Sequence, residues 1–425
     1  MTLCTMTLSR RQFLLSTAGV IGTLGAPALL AQATRPKVVI IGGGWGGLSA
    51  ARQLATGCDV TLIERNGEFI SLPLSNRWLA GLDDGRRLRQ NYQKTAEQFS
   101  YRFVQAEVRG FDMNRRQVST SVGDFAYDWL IVAAGISEAD DALVGGDRKA
   151  AAEMRLRFPS AYTPGRELDS VQRKLADFKA GEFLINLPLA PYRCPPAPYE
   201  RAVIIAQMIK SRGLKAHLTV VEPNAPWAGY QRVFNEQFRD QVTYLPNTQL
   251  RQVDPFRQIA TLDIDEIHFD DAILMPPQRA ADLCAANGLN GTNSAWATVH
   301  PRNLAFLGDD RVFVIGDSVG AVSPLFGHYP KTGELASRMG QIVATEIIGR
   351  ITGKTSEPAL PESTCFAYQS LTPPQFTRIE SRYRVRGDGA ITQSITQTRE
   401  NNPQGEDDAW LNTWHQALFG PAQVR

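Results

Sequence analysis

The stretch KVVIIGGGWGG, from Lys37 to Gly47, decides the fold of this chain. A short β-branched run ended by glycines is typical of a buried parallel strand. Gly42, Gly44 and Gly47 then form G-x-G-x-x-G at the mouth of a helix. The first glycine permits a tight turn, the second lets the backbone approach a pyrophosphate, and the third lets helix and strand pack closely. The segment therefore predicts a dinucleotide-binding βαβ unit.

The rest of this unit supports the same interpretation. A helix is predicted over 47–56 and a second strand over 59–64, which ends in Glu64. An acid at that position is placed to accept the ribose hydroxyls, and the helix N-terminus faces the phosphates with free N–H groups. Strand, glycines, helix, strand and acid together predict a dinucleotide site, whereas G-x-G-x-x-G alone is a weak signal.

Two later strands favour FAD over NAD at this site. The run over 127–135 ends in small residues, and the run over 311–317 ends in Gly316-Asp317. They resemble the second and third signatures of flavoproteins with two dinucleotide folds, in which the aspartate binds the ribityl chain. A long helix over 334–348 follows the third signature. We therefore expect FAD.

The pattern restarts from about residue 181, with a strand over 182–187, a helix over 199–210 and a strand over 217–222. The loop over 187–196 contains no glycine but four prolines. Proline lacks the N–H that holds a pyrophosphate, and bulky side chains block its close approach. We expect this second unit to have lost the nicotinamide nucleotide.

The fold class predicted is α/β, with two Rossmann-like dinucleotide domains in the glutathione-reductase-like arrangement and a small α+β C-terminal domain. A chain of 425 residues is long enough for two or three domains. The predicted segments are a signal peptide over 1–33, an FAD-binding domain over 35–147 and 289–352, a second Rossmann-like domain over 148–288, and a C-terminal flavin-covering domain over 361–425. Trp410 and Trp414 lie one helical turn apart in the last segment and are expected to pack against the body or a partner.

Composition excludes several classes of function. The net charge of +2 and the absence of a Lys/Arg block argue against a nucleic-acid partner. Five cysteines are too few for a disulfide framework in a chain of this length. The histidines are scattered, no pair of C-x-x-C motifs occurs, and the chain lacks C-x-x-C-H. We expect neither a metal site nor covalent haem.

The N-terminus predicts export. Arg10 and Arg11 precede an apolar run over 13–30, and small residues at 31 and 33 suit a signal peptidase. The alternative is a membrane anchor, but glycines and Pro27 interrupt the run, and a spanning helix needs about 20 apolar residues. The arginine pair fits the twin-arginine route for folded proteins. We expect a periplasmic protein without stable membrane insertion after cleavage.

Cys194 is the candidate for the chemistry. It follows Arg193 and precedes Pro195 and Pro196, which suit the first turn of a helix. A thiol at a helix N-terminus beside an arginine favours the thiolate and is reactive. Glu200 lies six residues further on and is a candidate proton acceptor. The alternative is a buried, inert cysteine.

From Lys37 to Phe419 the sequence resembles the flavoprotein subunit of flavocytochrome c sulfide dehydrogenase, a relative of sulfide:quinone oxidoreductases. The resemblance rests on LSN at 74–76, APYRCPPAPYERA at 190–202, PPQRA at 276–280, and PKTG at 330–333. It implies that sulfide attacks a disulfide beside the flavin and leaves one cysteine as a persulfide. The other cysteine, as a thiolate, then passes two electrons to FAD, and a c-type cytochrome subunit receives them.

This chain departs from the family at two cysteines. The second redox cysteine is expected after Gly316-Asp317, but Ser318 and Val319 stand there, and a short insertion over 321–329 reshapes the loop. We therefore expect Cys194 to lack a partner unless Cys284 or Cys365 reaches it. The family's covalent flavin link uses a cysteine where this chain has Leu72, so FAD is expected to be noncovalent.

Three functions remain open at this point: a dehydrogenase of sulfide or another reduced sulfur compound that reduces a c-type cytochrome, a flavin oxidoreductase of an unrelated small substrate, and a non-catalytic flavin subunit. The catalytic candidates are Cys194 and Glu200. The candidates for FAD binding are Gly42, Gly44, Gly47, Glu64, Arg65, Asn76, Val108, Ala133, Gly135, Gly316, Asp317, Lys331 and Gly333.

Overall fold

The computed structural model describes residues 35–354 and 359–420, so the predicted signal peptide over 1–33 lies outside the described residues. The first part of the chain supplies nine strands and three helices. They are β1 (Lys37–Ile41), α1 (Trp45–Leu54), β2 (Asp59–Glu64), β3 (Glu68–Ile70), α2 (Ser75–Leu79), β4 (Arg89–Asn91), α3 (Tyr92–Phe99), β5 (Arg102–Gln105), β6 (Val108–Asp112), β7 (Gln117–Thr120), β8 (Gly123–Ala126) and β9 (Trp129–Val132).

The middle of the chain forms a second set of elements. They are β10 (Ile136–Glu138), α4 (Arg148–Arg157), α5 (Arg166–Asp177), β11 (Ala180–Asn186), α6 (Ala197–Arg212), β12 (Lys215–Glu222), α7 (Ala228–Gln237), β13 (Val242–Pro246), β14 (Gln252–Asp254), β15 (Ile259–Thr261), β16 (Glu266–His268) and β17 (Asp271–Ile273).

Two further groups complete the fold. They are β18 (Gln278–Ala280), α8 (Asp282–Ala286), β19 (Ala305–Phe306), β20 (Asp309–Val314), β21 (Ala321–Ser323), β22 (Gly327–His328) and α9 (Gly333–Thr352), followed by β23 (Ser363–Leu371), β24 (Pro374–Val385), β25 (Ile391–Glu400) and α10 (Glu406–Phe419).

A six-stranded sheet combines distant parts of the chain in the order β19-β20-β9-β1-β2-β5. β1 lies in its centre and pairs in parallel with β2 and β9, so Ile40 stands between Leu62 and Ile131. All three side chains are fully buried. Helices α1 and α9 cross closely beside this sheet, where a Cβ on Gly340 would lie 2.3 Å from the Gly46 carbonyl oxygen.

The second sheet has the order β13-β12-β11-β17 and is entirely parallel. A short antiparallel pair, β10 with β18, lies where the chain passes between the two sheets. The paired carboxyl ends of parallel strands are where open α/β sheets bind ligands. Both predicted dinucleotide-type units are present as parallel strands, as the sequence predicts, and the edge strand β19 of the first sheet is antiparallel.

The last three strands form an antiparallel sheet, β23-β24-β25, and α10 follows it. Trp414 is buried, and Trp410 stacks on Trp45 with ring centroids 6.0 Å apart. The expectation that the two tryptophans pack against the body is confirmed. Among the helices in residues 35–354 and 359–420, none combines the length and hydropathy that a membrane span requires.

Candidate active site

The glycine-rich loop after β1 has the geometry of a phosphate-binding turn. Gly42 has φ +99° and a Cβ there would lie 2.4 Å from the Ala133 carbonyl oxygen, while a Cβ on Gly47 would lie 2.0 Å from the Gly42 oxygen. A Cβ on Gly44 would meet nothing within 4 Å. The first and third glycines are thus required by close contacts, and the second borders open space. The residues present fit a bound pyrophosphate.

The start of α1 and the end of β2 complete this part of the site. No side chain caps α1, so its first N–H groups are available to an anion. Glu64 accepts a hydrogen bond from the Gly43 N–H at 2.9 Å, which places its carboxylate beside the loop. Arg65 is exposed. Ala106, two residues before Val108, donates its N–H to the Glu64 carbonyl oxygen, so Val108 lies close to this end of β2.

The two other FAD signatures meet at the ends of neighbouring strands. The Ala133 N–H donates to Ile41 O, and the Ile315 N–H donates to Val132 O at 3.0 Å. Gly135 and Gly316–Asp317 therefore lie side by side after β9 and β20. The structure brings these predicted residues together, and their role in binding FAD stays a prediction.

Lys331 is a buried cation at the same edge, with 4% of its surface exposed. Its Nζ donates to the carbonyl oxygens of Asp317 at 2.7 Å and Val319 at 3.0 Å, and it lies 3.7 Å from the centre of the Trp296 ring. Burial lowers the pKa of Lys331 to about 8. Gly333 follows two residues later at the start of α9 and packs against Trp45.

Arg193 connects the second sheet to this edge. Its Nε donates to the Asp317 carboxylate at 2.6 Å, and its Nη1 donates to the Tyr162 carbonyl at 3.0 Å. A Cβ on Gly135 would lie 2.7 Å from Nη2 of the same guanidinium. Arg193 was not predicted at the FAD site, because its contact with Asp317 joins residues 124 positions apart.

The loop that carries Cys194 is held in an uncommon conformation. Cys194 has φ +50°, a region that non-glycine residues seldom adopt. Its N–H donates to Lys331 O at 2.8 Å, and the N–H of Arg193 donates to the Gln278 side-chain oxygen at 2.7 Å. Helix α6 begins at Ala197, directly after Pro196. These bonds fix the thiol at the carboxyl end of β11, where the sequence places it.

Cys365, at the start of β23, lies against Cys194. Of the two cysteines left open as partners of Cys194, Cys365 is the one that reaches it, and a side-chain hydrogen bond joins the two thiols. That bond, burial and the nearby Glu200 raise the pKa of Cys365 well above its usual value, so this thiol keeps its proton. The partner comes from the C-terminal sheet, 171 positions further on, and not from the loop after Asp317.

Glu200 of α6 lies near this pair. Its carboxylate accepts hydrogen bonds from the Tyr368 N–H at 2.8 Å and from the Asn76 side-chain amide. Burial raises the pKa of Glu200 to about 7, although both hydrogen bonds favour the ionised form. Asn76, predicted to bind FAD, is thus used to hold Glu200. A carboxyl that titrates near neutral pH suits proton transfer to the neighbouring Cys365.

The second sheet offers no acid to a nucleotide ribose. Glu222 ends β12, the position equivalent to Glu64, but it is 1% exposed. The hydroxyls of Tyr199 and Tyr244 both donate to its carboxylate. The exclusion of nicotinamide nucleotides stays a prediction, and this arrangement supports it.

The chain has the fold with two dinucleotide-binding units that flavoprotein oxidoreductases share. Residues 36–173 match the family model of pyridine nucleotide-disulphide oxidoreductases. Residues 169–276 match the central part of the flavoprotein chain of flavocytochrome c sulfide dehydrogenase. This is the same family that the sequence motifs resemble.

Two known quinone oxidoreductases are similar to this chain in sequence. The alternative NAD(P)H-ubiquinone oxidoreductase C1 of Arabidopsis thaliana is 23% identical over 79% of this chain and 70% of its own length. The type II NADH:quinone oxidoreductase NdhA of Mycobacterium tuberculosis is 31% identical over 38% of this chain and 34% of its own length.

Solved structures with the same fold include two sulfur enzymes. The sulfide:quinone oxidoreductase of Aquifex aeolicus superposes with a TM-score of 0.74 at 18% identity and covers 91% of this chain and 92% of that one. The NAD-dependent persulfide reductase of A. fulgidus gives a TM-score of 0.61 at 14% identity, over 90% of this chain and 77% of that one.

Proposed function

We propose that this protein is a periplasmic FAD-dependent dehydrogenase of sulfide or a related reduced sulfur compound, which passes its electrons to a c-type cytochrome. The observation that carries the proposal is the contact between Cys365 and Cys194, whose neighbour Arg193 binds the Asp317 carboxylate. Two thiols in contact form a disulfide on oxidation, and a disulfide is the group that a sulfur nucleophile attacks.

Each step of the sulfur chemistry has a residue to carry it out. Hydrosulfide attacks the Cys194 sulfur of the oxidised pair: a new sulfur–sulfur bond forms, the bond to Cys365 breaks, and Cys365 leaves with the electron pair as a thiolate. Glu200 protonates that thiolate and takes the proton back when the disulfide re-forms. A second hydrosulfide attacks the outer sulfur of the persulfide and leaves with it as hydrodisulfide, which frees Cys194 as a thiolate. Two hydrosulfides thus give one hydrodisulfide, one proton and two electrons.

The site also has the residues to hold the electron acceptor. Gly44 and the open start of α1 would hold the pyrophosphate of FAD, and Asp317 with Lys331 would lie along its ribityl and ring portions. FAD, when bound, accepts the two electrons. Leu72 replaces the attaching cysteine, so this FAD is proposed to be noncovalent.

Export and the acceptor complete the proposal. Arg10 and Arg11 support export by the twin-arginine route, and the match to a flavocytochrome c chain supports a c-type cytochrome acceptor. A quinone is the second candidate acceptor, because the curated relatives and the Aquifex aeolicus structure are quinone oxidoreductases by name.

Anaerobic reduction of the bound flavin tests the function. Sulfide is expected to reduce and bleach the wild-type flavin. In Cys194→Ser and Cys365→Ser the rate of flavin reduction should fall by at least about a thousandfold while FAD stays bound. Cys284→Ser is the matched control, since that thiol is fully buried and burial raises its pKa to about 11.

Two results would contradict the proposal. One is a wild-type flavin that sulfide, thiosulfate and polysulfide all fail to reduce, and the other is wild-type kinetics in either single variant. Reoxidation by a c-type cytochrome and by a ubiquinone analogue then identifies the acceptor.

A further inference from the structure

A cavity outside the site already described lies between helix α7 and the C-terminal sheet. Its volume is 180 Å³. One water molecule takes up roughly 30 Å³ in the liquid. Most of the lining side chains are polar, and they come from α7 and from all three strands of the sheet: Arg232, Glu236, Gln369, Thr377, Gln397 and Arg399. The cavity is therefore large enough for a small polyatomic ligand and polar enough to bind one through hydrogen bonds.

The pairing of the C-terminal strands places this cavity on the same face of the sheet as Cys365. Cys365 stands opposite Ile379, and Ile379 stands opposite Gln397. Residues that face each other across antiparallel strands have their side chains on one face, about 5 Å apart. Gln397 is thus two strands, or roughly 10 Å, from Cys365. Neither cysteine of the redox pair lines the cavity, so it is a separate site near that pair.

The floor of the cavity contains a buried amide without a partner. Gln369 is 5% exposed, and neither its Oε1 nor its Nε2 forms a hydrogen bond within the part of the chain that the structure describes. The amide is close to the start of α7, since a Cβ on Gly229 would lie 3.1 Å from Nε2. An amide can offer a ligand both donors and an acceptor. A buried polar group without a partner costs free energy, which indicates that a ligand supplies the missing hydrogen bond.

The rim of the cavity carries charges of both signs. Arg232 of α7 and Arg399 of β25 are exposed, and neither forms an ion pair with another described residue. Glu236 lies one helical turn after Arg232 and is likewise exposed and without an ion pair in residues 35–354 and 359–420. An arginine that precedes a glutamate is the less favourable order for a pair along a helix. Two guanidinium groups and one carboxylate therefore remain available to a ligand that has a carboxylate and a cationic donor.

The two walls of the cavity are held together by the fold. Tyr230, which follows Gly229, is fully buried, and its hydroxyl donates to the Tyr368 carbonyl oxygen at 3.0 Å. Tyr368 directly precedes Gln369, so this hydrogen bond fixes α7 against β23 beside the buried amide. The cavity is thus formed before a ligand enters, and binding requires little further ordering of the backbone.

We propose that this cavity is a binding site for a small α-amino acid in its zwitterionic form. The carboxylate of the ligand binds Arg232 and Arg399, its ammonium group binds Glu236, and the Gln369 amide forms a hydrogen bond to the ligand. An inorganic anion would satisfy the two arginines alone and would leave Glu236 without a cation. The site goes beyond the sulfur reaction, so the inference does not depend on the proposed function.

Calorimetric titration of the holoprotein tests the site. L-alanine and L-methionine are the probes, since they differ in size and have no thiol that could react with the cysteine pair. We expect at least one of them to bind with a Kd of about 1 mM or tighter. Propionate, which is alanine without its ammonium group, and sulfate should bind at least about tenfold more weakly. Absence of saturable binding by both amino acids, or equally tight binding of propionate or sulfate, would overturn the proposal.

Two charge variants separate the recognition of the two ends of the ligand. Arg399→Gln should weaken amino-acid binding by about tenfold or more. Glu236→Gln should weaken amino-acid binding to a similar extent and should not weaken the binding of propionate. Arg382→Gln is the matched control, because Arg382 is exposed on β24 and its position puts it on the opposite face from Thr377. Wild-type affinity in both cavity variants would refute the assignment.

Gln369→Met tests the buried amide independently of charge. Methionine is similar in length but has no amide, so this variant removes an unpartnered buried polar group and should keep or raise the free energy of unfolding. Its affinity for the amino acid should nevertheless fall by about tenfold, because the hydrogen bond to the ligand is lost. Denaturant titration of the same variant shows whether it is folded. A folded variant with unchanged affinity would mean that the amide does not contact the ligand and that the proposed site is wrong.

Discussion

Oxidation of Cys194 and Cys365 to a disulfide should raise the free energy of unfolding by an amount that depends on the length of the loop that the disulfide closes. The pair encloses a loop of roughly 170 residues, and closing such a loop removes about 5 kcal/mol of unfolded-state entropy at 25 °C. Measured disulfides contribute about 2–5 kcal/mol. For a chain of this size we expect the unfolding midpoint to rise by about 2–6 °C.

The assay compares thermal unfolding of the air-oxidised holoprotein with and without a phosphine reductant, beside a count of free thiols. Wild type should gain two thiols on reduction and lose the stability increment, whereas Cys365→Ser should show neither change. Cys284→Ser should behave like wild type, because Cys284 lies outside the pair. Equal midpoints and equal thiol counts in oxidised and reduced wild type would refute the assignment of a redox pair.

Four further outcomes are expected. Acid precipitation should release all the flavin, since Leu72 replaces the attaching cysteine, and colour retained on the chain would contradict noncovalent binding. NADH and NADPH should not bleach the flavin, because the loop over 187–196 has prolines in place of glycines; rapid anaerobic bleaching by either would disprove this. Arg10→Lys with Arg11→Lys should abolish periplasmic accumulation in a fractionation assay, and unchanged export would remove the twin-arginine assignment. Glu200→Gln should raise the free energy of unfolding by up to about 3 kcal/mol at pH 8 and by little at pH 4.5. The reason is that a carboxyl with a raised pKa destabilises the folded state only at a pH where it would be ionised in the unfolded chain. Denaturant titration at both pH values checks this.

The local interactions of the first βαβ unit made it predictable. The strand predicted over 37–41 and the acid at 64 are observed as predicted, because β-branched periodicity and glycine spacing specify them within a short stretch of chain. The helix predicted over 47–56 begins two residues earlier, at Trp45, because Gly44 itself ends the turn. The helix after Cys194 was predicted over 199–210 and begins two residues earlier, at Ala197, directly after the prolines that were expected to open it.

Contacts between distant segments were not predictable. The family resemblance implies a second cysteine in the loop after Asp317, where Ser318 instead donates to the Gly135 carbonyl. Cys365 stands alone in a strand of the C-terminal segment, and no local pattern marks it as reactive. The Ser160 hydroxyl that bridges Glu138 and Glu167 likewise has no sequence signal, because three separate segments bring these side chains together.

The sequence by itself determined the dinucleotide folds, the loss of glycines in the second unit and the position of Cys194 at the start of a helix. Each of these depends on neighbours within a few residues, so periodicity and residue type were sufficient. The tertiary structure alone decided which thiol meets Cys194, which cation meets Asp317 and which carboxyls hold a proton near neutral pH. These depend on burial and on contacts between residues more than a hundred positions apart, which periodicity and local residue type do not indicate.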